Sequence, residues 1–428
     1  MKKAIVVGSG AGGATVAKEL QGKFQVTVLE AGGPFRPFSA NLNAVETVKR
    51  TGLLFDEREI RWIFPNMIVR KAGEGMVLVN GAGQGGTTTI SAGNAIRCDR
   101  SLKAIGIDLD VEFQELYGEI PVSSDHQRKW HASTREVFSI CQSMDLRPQP
   151  SPKMVRLDRC TGCGKCVLGC PRMAKWDSRS FLDQAIEHGA ELVSNCKAER
   201  IVIHRGRAKG VVARSHGIKR FYPADMVVVA AGGLGTPLVL QQSGIACQPK
   251  LFVDPVLCVA TRWEGARQNR EMPMPFIVQR EHYMISPYFD FLSFFFNRRW
   301  NSPSENIFSL MIKLADDNTG SITRRGARKA LSNADKARLQ EAVSLCTDIF
   351  RKLGKKANDI FLGTVNAGHP GGMLPLTEHE RVTLHHGTLP ANLYVADATL
   401  LPESLGNPAI LTISALAKRI SRLCASYV

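Results

Sequence analysis

Four consecutive apolar residues, Ala4-Ile-Val-Val7, run straight into Gly8-Ser-Gly-Ala-Gly-Gly13 and then into the stretch Ala14–Leu20. A short apolar run closed by a glycine turn reads as a buried strand. A second run, ending in Val26-Thr-Val-Leu-Glu30, completes a strand–turn–helix–strand unit over residues 1–33. A turn-rich segment with Gly33-Pro34 and Pro37 follows, then a Gly/Thr-rich stretch around 79–97 that contains Asn80-Gly-Ala-Gly-Gln-Gly-Gly-Thr-Thr-Thr89. Residues 101–150 read as helical and amphipathic in places, as over 131–145, where Val137, Phe138, Ile140, Cys141 and Met144 are apolar, ending at Pro148 and Pro150. A helix is predicted over 178–188, then strands at Glu191-Leu-Val193, Ala198–Ile203, Gly210–Arg214 and Met226–Ala231. Residues 250–312 are aromatic-rich and broken by prolines, and a helix over Asn333–Leu353 separates them from a C-terminal unit. No internal repeat or low-complexity tract interrupts this order.

At 428 residues the chain exceeds a single hydrophobic core, which predicts two domains. With 44% hydrophobic and 22% charged residues it has the composition of a globular protein. No apolar stretch reaches the roughly eighteen residues of a membrane span. The first strand begins so close to Met1 that no cleavable leader is expected. The net charge of +16 suggests an anionic partner. Lys and Arg are dispersed, however, and no nucleic-acid motif accompanies them, so nucleic acid is excluded; an acidic electron carrier, an anionic membrane face, and a generally basic host proteome with no partner behind it are the readings left.

The chemistry is concentrated in Cys160-Thr-Gly-Cys163-Gly-Lys-Cys166-Val-Leu-Gly-Cys170-Pro171. The spacing C-x2-C-x2-C-x3-C-P is that of a bacterial iron–sulfur run. A structural zinc site pairs two separated knuckles, and a disulfide framework belongs to small secreted chains, so both fit less well. Gly162, Gly164 and Gly169 keep the loop free of side chains. In two-cluster proteins the fourth cysteine serves the other cluster. Here Cys170 folds back, a remote cysteine completes the set, or the cluster holds three irons. An empty loop is the remaining alternative. Cys98, Cys141, Cys196, Cys247, Cys258, Cys346 and Cys424 read as small buried hydrophobes. The cysteine usage fits a reducing cytosol, hence a cytoplasmic protein with peripheral membrane contact left open.

Gly8, Gly10 and Gly13 form a dinucleotide fingerprint between strand and helix: a tight turn, room for pyrophosphate, and close helix packing. Glu30, about twenty residues on, is placed to hold a ribose hydroxyl. NAD and FAD share this pattern. The ending Leu29-Glu-Ala-Gly-Gly33 and the late return to the nucleotide fold favour FAD.

These blocks resemble the glucose–methanol–choline (GMC) oxidoreductases. The resemblance rests on Val6-Val-Gly-Ser-Gly-Ala-Gly-Gly-Ala-Thr-Val-Ala17 with Leu29–Gly33, and on Val227-Val-Val-Ala-Ala-Gly-Gly-Leu-Gly-Thr-Pro237 with Gln242-Ser-Gly-Ile245. It extends to Asn392-Leu-Tyr-Val-Ala-Asp-Ala-Thr-Leu-Leu-Pro402 with Asn407–Ala417, so it covers nearly the whole chain. It implies an α/β fold in which a discontinuous Rossmann-like FAD-binding domain carries a second, α+β substrate-binding domain. The FAD domain would comprise residues 1–100, 178–249 and 361–428. Residues 101–154 would be a helical cap region, 155–177 the iron–sulfur loop and 250–360 the substrate domain.

The resemblance further implies an alcohol dehydrogenase or oxidase. His369, in Gly368-His-Pro-Gly-Gly-Met373, matches the base, and Asn407, before Pro408, matches its partner. A neutral imidazole can take a hydroxyl proton while the carbinol hydride leaves. Asp397, Ala231 and Pro408 would contact FAD, and Gly85-Gly86-Thr87, ahead of Asn94, resembles the segment along the flavin, with Gly-Gly-Thr-Thr replacing the usual Gly-Gly-Ser-Ser. His282 is a minor rival for the base, while His379, His385 and His386 read as surface residues. Some members carry such a cysteine loop ahead of an Ala-Lys pair, here Ala174-Lys175, with differing occupancy.

The aromatic stretch His282–Trp300 either walls an apolar substrate cavity, suiting a sterol, terpenoid or aryl alcohol, or forms a sheet core or membrane-facing patch. The expectation is an FAD-dependent dehydrogenase whose electrons leave through a cluster, of the 4Fe-4S type, to a ferredoxin-like carrier or quinone system. An oxygen-using flavin oxidase with an empty loop and a non-catalytic electron-transfer subunit are the alternatives.

Overall fold

The first apolar run forms β1 (Lys2–Val7), the middle strand of a five-stranded parallel sheet. Its order is Leu393–Val395, Met226–Val229, β1, β2 (Phe24–Leu29), Glu191–Val193. Val228 pairs with Val6 on one side and Tyr394 on the other, so start, middle and end of the chain meet in adjacent strands. Every residue of Met226–Val229 is buried, as expected of a parallel strand covered on both faces. The computed structural model describes residues 1–39, 46–47, 56–73 and 75–426.

Helix α1 (Ala11–Glu19) starts three residues earlier than the sequence reading placed it, because Gly12 and Gly13 are helical. They let the helix lie against the sheet: a Cβ on Gly12 would fall 1.6 Å from Ala396 O, and one on Gly13 would fall 2.0 Å from Gly8 O. The helix Ile410–Ser426 packs beside α1, and its buried Lys418 reaches Glu19 and Glu119, each at 2.7 Å.

A second, largely antiparallel sheet is built around Pro255–Arg262 and Ile307–Leu314, paired from Val256↔Lys313 to Arg262↔Ile307. The helix Asn333–Lys352 covers one face with Cys346, Ile349 and Phe350, and a Ser332/Asp335 capping box fixes its start. The region 101–150 resolves into Arg100–Ala104, Asp110–Glu119 and Ala132–Ser143, followed by the edge strand Gln149–Pro150.

The aromatic stretch is core. Phe289 packs on Phe291, Phe294 and Trp300 at centroid separations of 4.9, 5.4 and 6.1 Å, and these rings share one cluster with Phe35, Phe38 and Phe64. Among the described residues no helix is long and apolar enough to cross a membrane.

Candidate active site

Two loops meet over the C-terminal ends of the parallel strands. Gly8, at φ +97°, could carry no side chain, since its Cβ would lie 2.4 Å from Ala230 O. Gly10 is the exception among the fingerprint glycines: a Cβ there would meet nothing within 4 Å. It caps α1 without any side-chain hydrogen bond, which leaves the first helical amides facing open space. A helix start with no side chain across it suits the pyrophosphate of a dinucleotide.

Glu30 directly follows β2 and is buried. Its Oε2 accepts from Ser9 N at 3.0 Å and Ser9 Oγ at 2.7 Å, and its Oε1 accepts from Gly32 N at 2.8 Å. Burial raises its carboxyl above the usual range against the pull of these donors. Gly85 N donates to Ser9 Oγ at 3.1 Å, and the Cβ position of Gly86 lies 3.0 Å from Gly10 Cα, so Gly85-Gly86-Thr87 sits on the fingerprint turn. Thr87 Oγ1 accepts from Gly81 N at 3.1 Å. Ser178, which no motif in the chain singles out, ties the two loops, donating to Ser9 O at 3.1 Å and Gly85 O at 3.0 Å.

The other wing is built on Asp397. It is buried, and burial raises its carboxyl. Thr399 N donates to Oδ1 at 2.9 Å, while Gly232 N, at 2.9 Å, and Thr236 Oγ1 donate to Oδ2. Both oxygens are thus held by the protein, which positions Ala231 at the start of the helix Gly232–Gln242. Pro370 O lies 1.9 Å from the Cβ position of Gly233, so the His369 loop rests on that helix.

His369 is a quarter exposed, and its Nδ1 stands 3.3 Å from Asp254 Oδ2. Asp254 is buried and also meets Lys313 Nζ at 3.0 Å, Ser404 Oγ and Gly406 N. Burial raises the Asp254 carboxyl, but Lys313, His369 and Ser404 outweigh it and hold it at about 2. The imidazole is pulled below its ordinary value, first by burial and then by Lys313, while Asp254 and the main chain of Asn407 oppose. A neutral ring with its proton on Nδ1 toward a carboxylate leaves the Nε2 lone pair as a base. Asn407 adjoins the ring, Pro408 is buried behind it, and Asn407 Oδ1 is buried without a donor, a place for a ligand N–H or O–H. His282 is an exposed residue beside Glu281, and His379 is exposed. His386 is buried rather than at the surface, with Nδ1 2.9 Å from Thr388 Oγ1.

Cys160, Cys163, Cys166 and Cys170 line one recess of about 370 Å3, measured with its solvent-facing mouth. All four are free thiols. Gly164 and Gly169 do more than clear the loop. A Cβ on Gly164 would lie 2.0 Å from Asn269 O, and one on Gly169 would lie 2.5 Å from the Phe35 ring. Lys129 Nζ pins the loop at Leu157 O, 2.9 Å, and Cys160 O, 2.7 Å. Two buried ammonium groups stand beside the thiols, and burial lowers both, Lys153 to about 7. Lys153 donates to Ala92 O at 3.0 Å and Pro273 O at 2.6 Å. Lys175 donates to Thr88 O at 2.7 Å and Thr89 O at 3.0 Å, so it spans from the cysteines to the segment after Gly85-Gly86-Thr87. Neither forms an ion pair with a carboxylate among the described residues. Among those residues no three His, Cys, Asp or Glu side chains converge on a single metal ion.

Residues 2–258 match the family described as GMC oxidoreductase. An uncharacterised protein of Methanocaldococcus jannaschii is 25% identical over 97% of this chain and 98% of its own. A long-chain-alcohol oxidase of Arabidopsis thaliana is 27% identical over 56% of this chain, but that match takes in only 34% of the plant protein. In fold the chain resembles the crystal structure of a pyridoxine 4-oxidase, with a TM-score of 0.71 at 14% identity, covering 99% of both chains.

Proposed function

The chain belongs to the GMC oxidoreductase family, and from that premise we propose an FAD-dependent dehydrogenase that interconverts an alcohol and a carbonyl compound. Its electrons would leave through an iron–sulfur cluster held by Cys160, Cys163, Cys166 and Cys170. The observation that carries the alcohol chemistry is the partly exposed His369, backed by the buried Asp254–Lys313 pair and flanked by Asn407. His369 Nε2 takes the hydroxyl proton, Asp254 holds the ring in that tautomer, and the Asn407 amide orients the substrate oxygen. FAD, when bound, supplies the hydride acceptor, held by the fingerprint amides and by Glu30, Gly85, Gly86, Thr87, Ala231, Asp397 and Pro408.

The cluster reading is supported by four thiols in one recess and by two buried lysines with no carboxylate ion pair among the described residues. Buried ammonium groups of that kind call for an anion, and a thiolate-ligated cluster is one. A cube spreads its ligands over four corners, so it does not require the convergence that a single ion does. Lys175 links that recess to the segment beside the fingerprint turn. An apolar alcohol as substrate is favoured by the plant relative's name. With the aromatic rings packed into the core, that preference no longer rests on them.

Iron and flavin analysis with EPR on anaerobically purified, dithionite-reduced protein tests the proposal. About four irons per flavin with a reduced-cluster signal supports the dehydrogenase. Flavin without iron, with peroxide formed from alcohol, establishes the second reading, an oxygen-using oxidase, which the names of the plant relative and the pyridoxine enzyme favour.

A further inference from the structure

The cysteine recess is polarised. Cys170 is buried, and with Cys166 it faces Lys175. Cys160, Cys163 and Cys166 are each partly exposed, Gly162 leaves open space beside them, and the exposed Arg159 and Arg172 line the recess. Residues 156–173 carry Arg156, Arg159, Lys165 and Arg172 against a single acid, Asp158.

Some basic groups elsewhere in the chain are neutralised by a neighbour. Arg97, Arg179, Arg419 and Arg422 are each clamped to a carboxylate. Arg156, Arg159, Lys165 and Arg172 form no ion pair among the described residues. Exposed, unpaired charge of one sign around an opening steers an oppositely charged partner more than it stabilises the fold.

We propose that the surface around Cys160 and Cys163, with Arg156, Arg159 and Arg172, is the docking face for an acidic, one-electron iron–sulfur carrier protein. This rests on the cluster reading above. The face is suited to a brief encounter: within residues 156–173, Met173, 61% exposed, is the only large exposed hydrophobic side chain. Transient redox complexes use small, charge-steered contacts of this kind. A membrane would ask for several exposed apolar anchors together, which residues 156–173 do not supply. Oxidation of one alcohol to a carbonyl releases two electrons and two protons. Each encounter transfers one electron, so two oxidised carriers are reduced per turnover and the protons pass to solvent.

The test uses anaerobic holoprotein, photoreduced so that no substrate need be known, mixed in stopped flow with an oxidised acidic [2Fe–2S] ferredoxin or with neutral benzoquinone. For the native protein the ferredoxin rate constant should fall steeply with ionic strength. The pair Arg159→Glu and Arg172→Glu should lower it about tenfold or more at low salt and flatten the salt slope, with the benzoquinone rate unchanged. The milder Arg159→Gln/Arg172→Gln pair should fall between, which guards against a folding defect in the reversed protein. A native-like rate and slope in reversed protein with its iron intact would overturn the docking face while leaving the cluster standing. Protein without iron would overturn both. If the reversal abolished binding to phosphatidylglycerol vesicles but left the ferredoxin rate alone, the face would be a membrane contact and the carrier proposal would be wrong.

Discussion

His369 and Asp254 are 115 positions apart in sequence, yet the pair sets the protonation state on which the chemistry depends. His369→Ala should lower the rate of alcohol-driven flavin reduction by about 10²- to 10⁴-fold while bound FAD is retained, measured by anaerobic stopped flow with flavin content as control. Because burial and Lys313 depress the imidazole, it stays neutral to lower pH than a free histidine, and the acid limb of the rate should shift down accordingly. Asp254 favours the protonated ring, so Asp254→Asn should move the limb to still lower pH and reduce the plateau, a combination visible in a pH profile of flavin reduction. His369 could be picked out in the sequence only through its flanking blocks. Asp254, Lys313 and Ser178 could not, because their meaning lies in contacts between distant segments, and nothing local marks a buried ion pair.

At the scale of elements, the strand–turn–helix unit was the most legible part, since its logic is local: apolar run, glycines, helix and acidic strand end. The fingerprint assigns Gly10 to the ligand and Gly13 to packing, but nothing in it marks Gly12, which packs on Ala396 O. Gly12→Ala should destabilise the fold by about 3 kcal/mol or more, since its Cβ would meet Ala396 O. Gly10, with φ −70° and open space at its Cβ position, should accept alanine with little change in melting temperature yet lose FAD affinity. Thermal unfolding of apoprotein together with flavin titration separates the two. The aromatic stretch shows the opposite limit. Ring content alone does not distinguish a cavity wall from a core, and only the packing of Phe289, Phe291, Phe294 and Trp300 on one another decides it.

Across the whole molecule, net charge becomes informative once paired and unpaired cations are told apart. The +16 excess indicated an anionic partner but gave it no address, and Lys153 and Lys175, buried beside the cysteines, carry a different part of that charge from the exposed arginines. Replacing Lys175 by Met keeps the volume but removes a cation from the thiols, so the reduction potential of a bound cluster should fall, as read by EPR-monitored titration.

The central sheet carries one more consequence, for the order in which the protein comes into being. Because Val228 needs both Val6 and Tyr394 as neighbours, β1 waits through nearly four hundred residues of synthesis before its sheet is complete. His369 and Asn407 also leave the ribosome long after the fingerprint turn has formed. The nascent chain therefore holds an unfinished sheet edge in need of shielding from other chains, and flavin capture becomes a late, post-translational checkpoint on the finished enzyme.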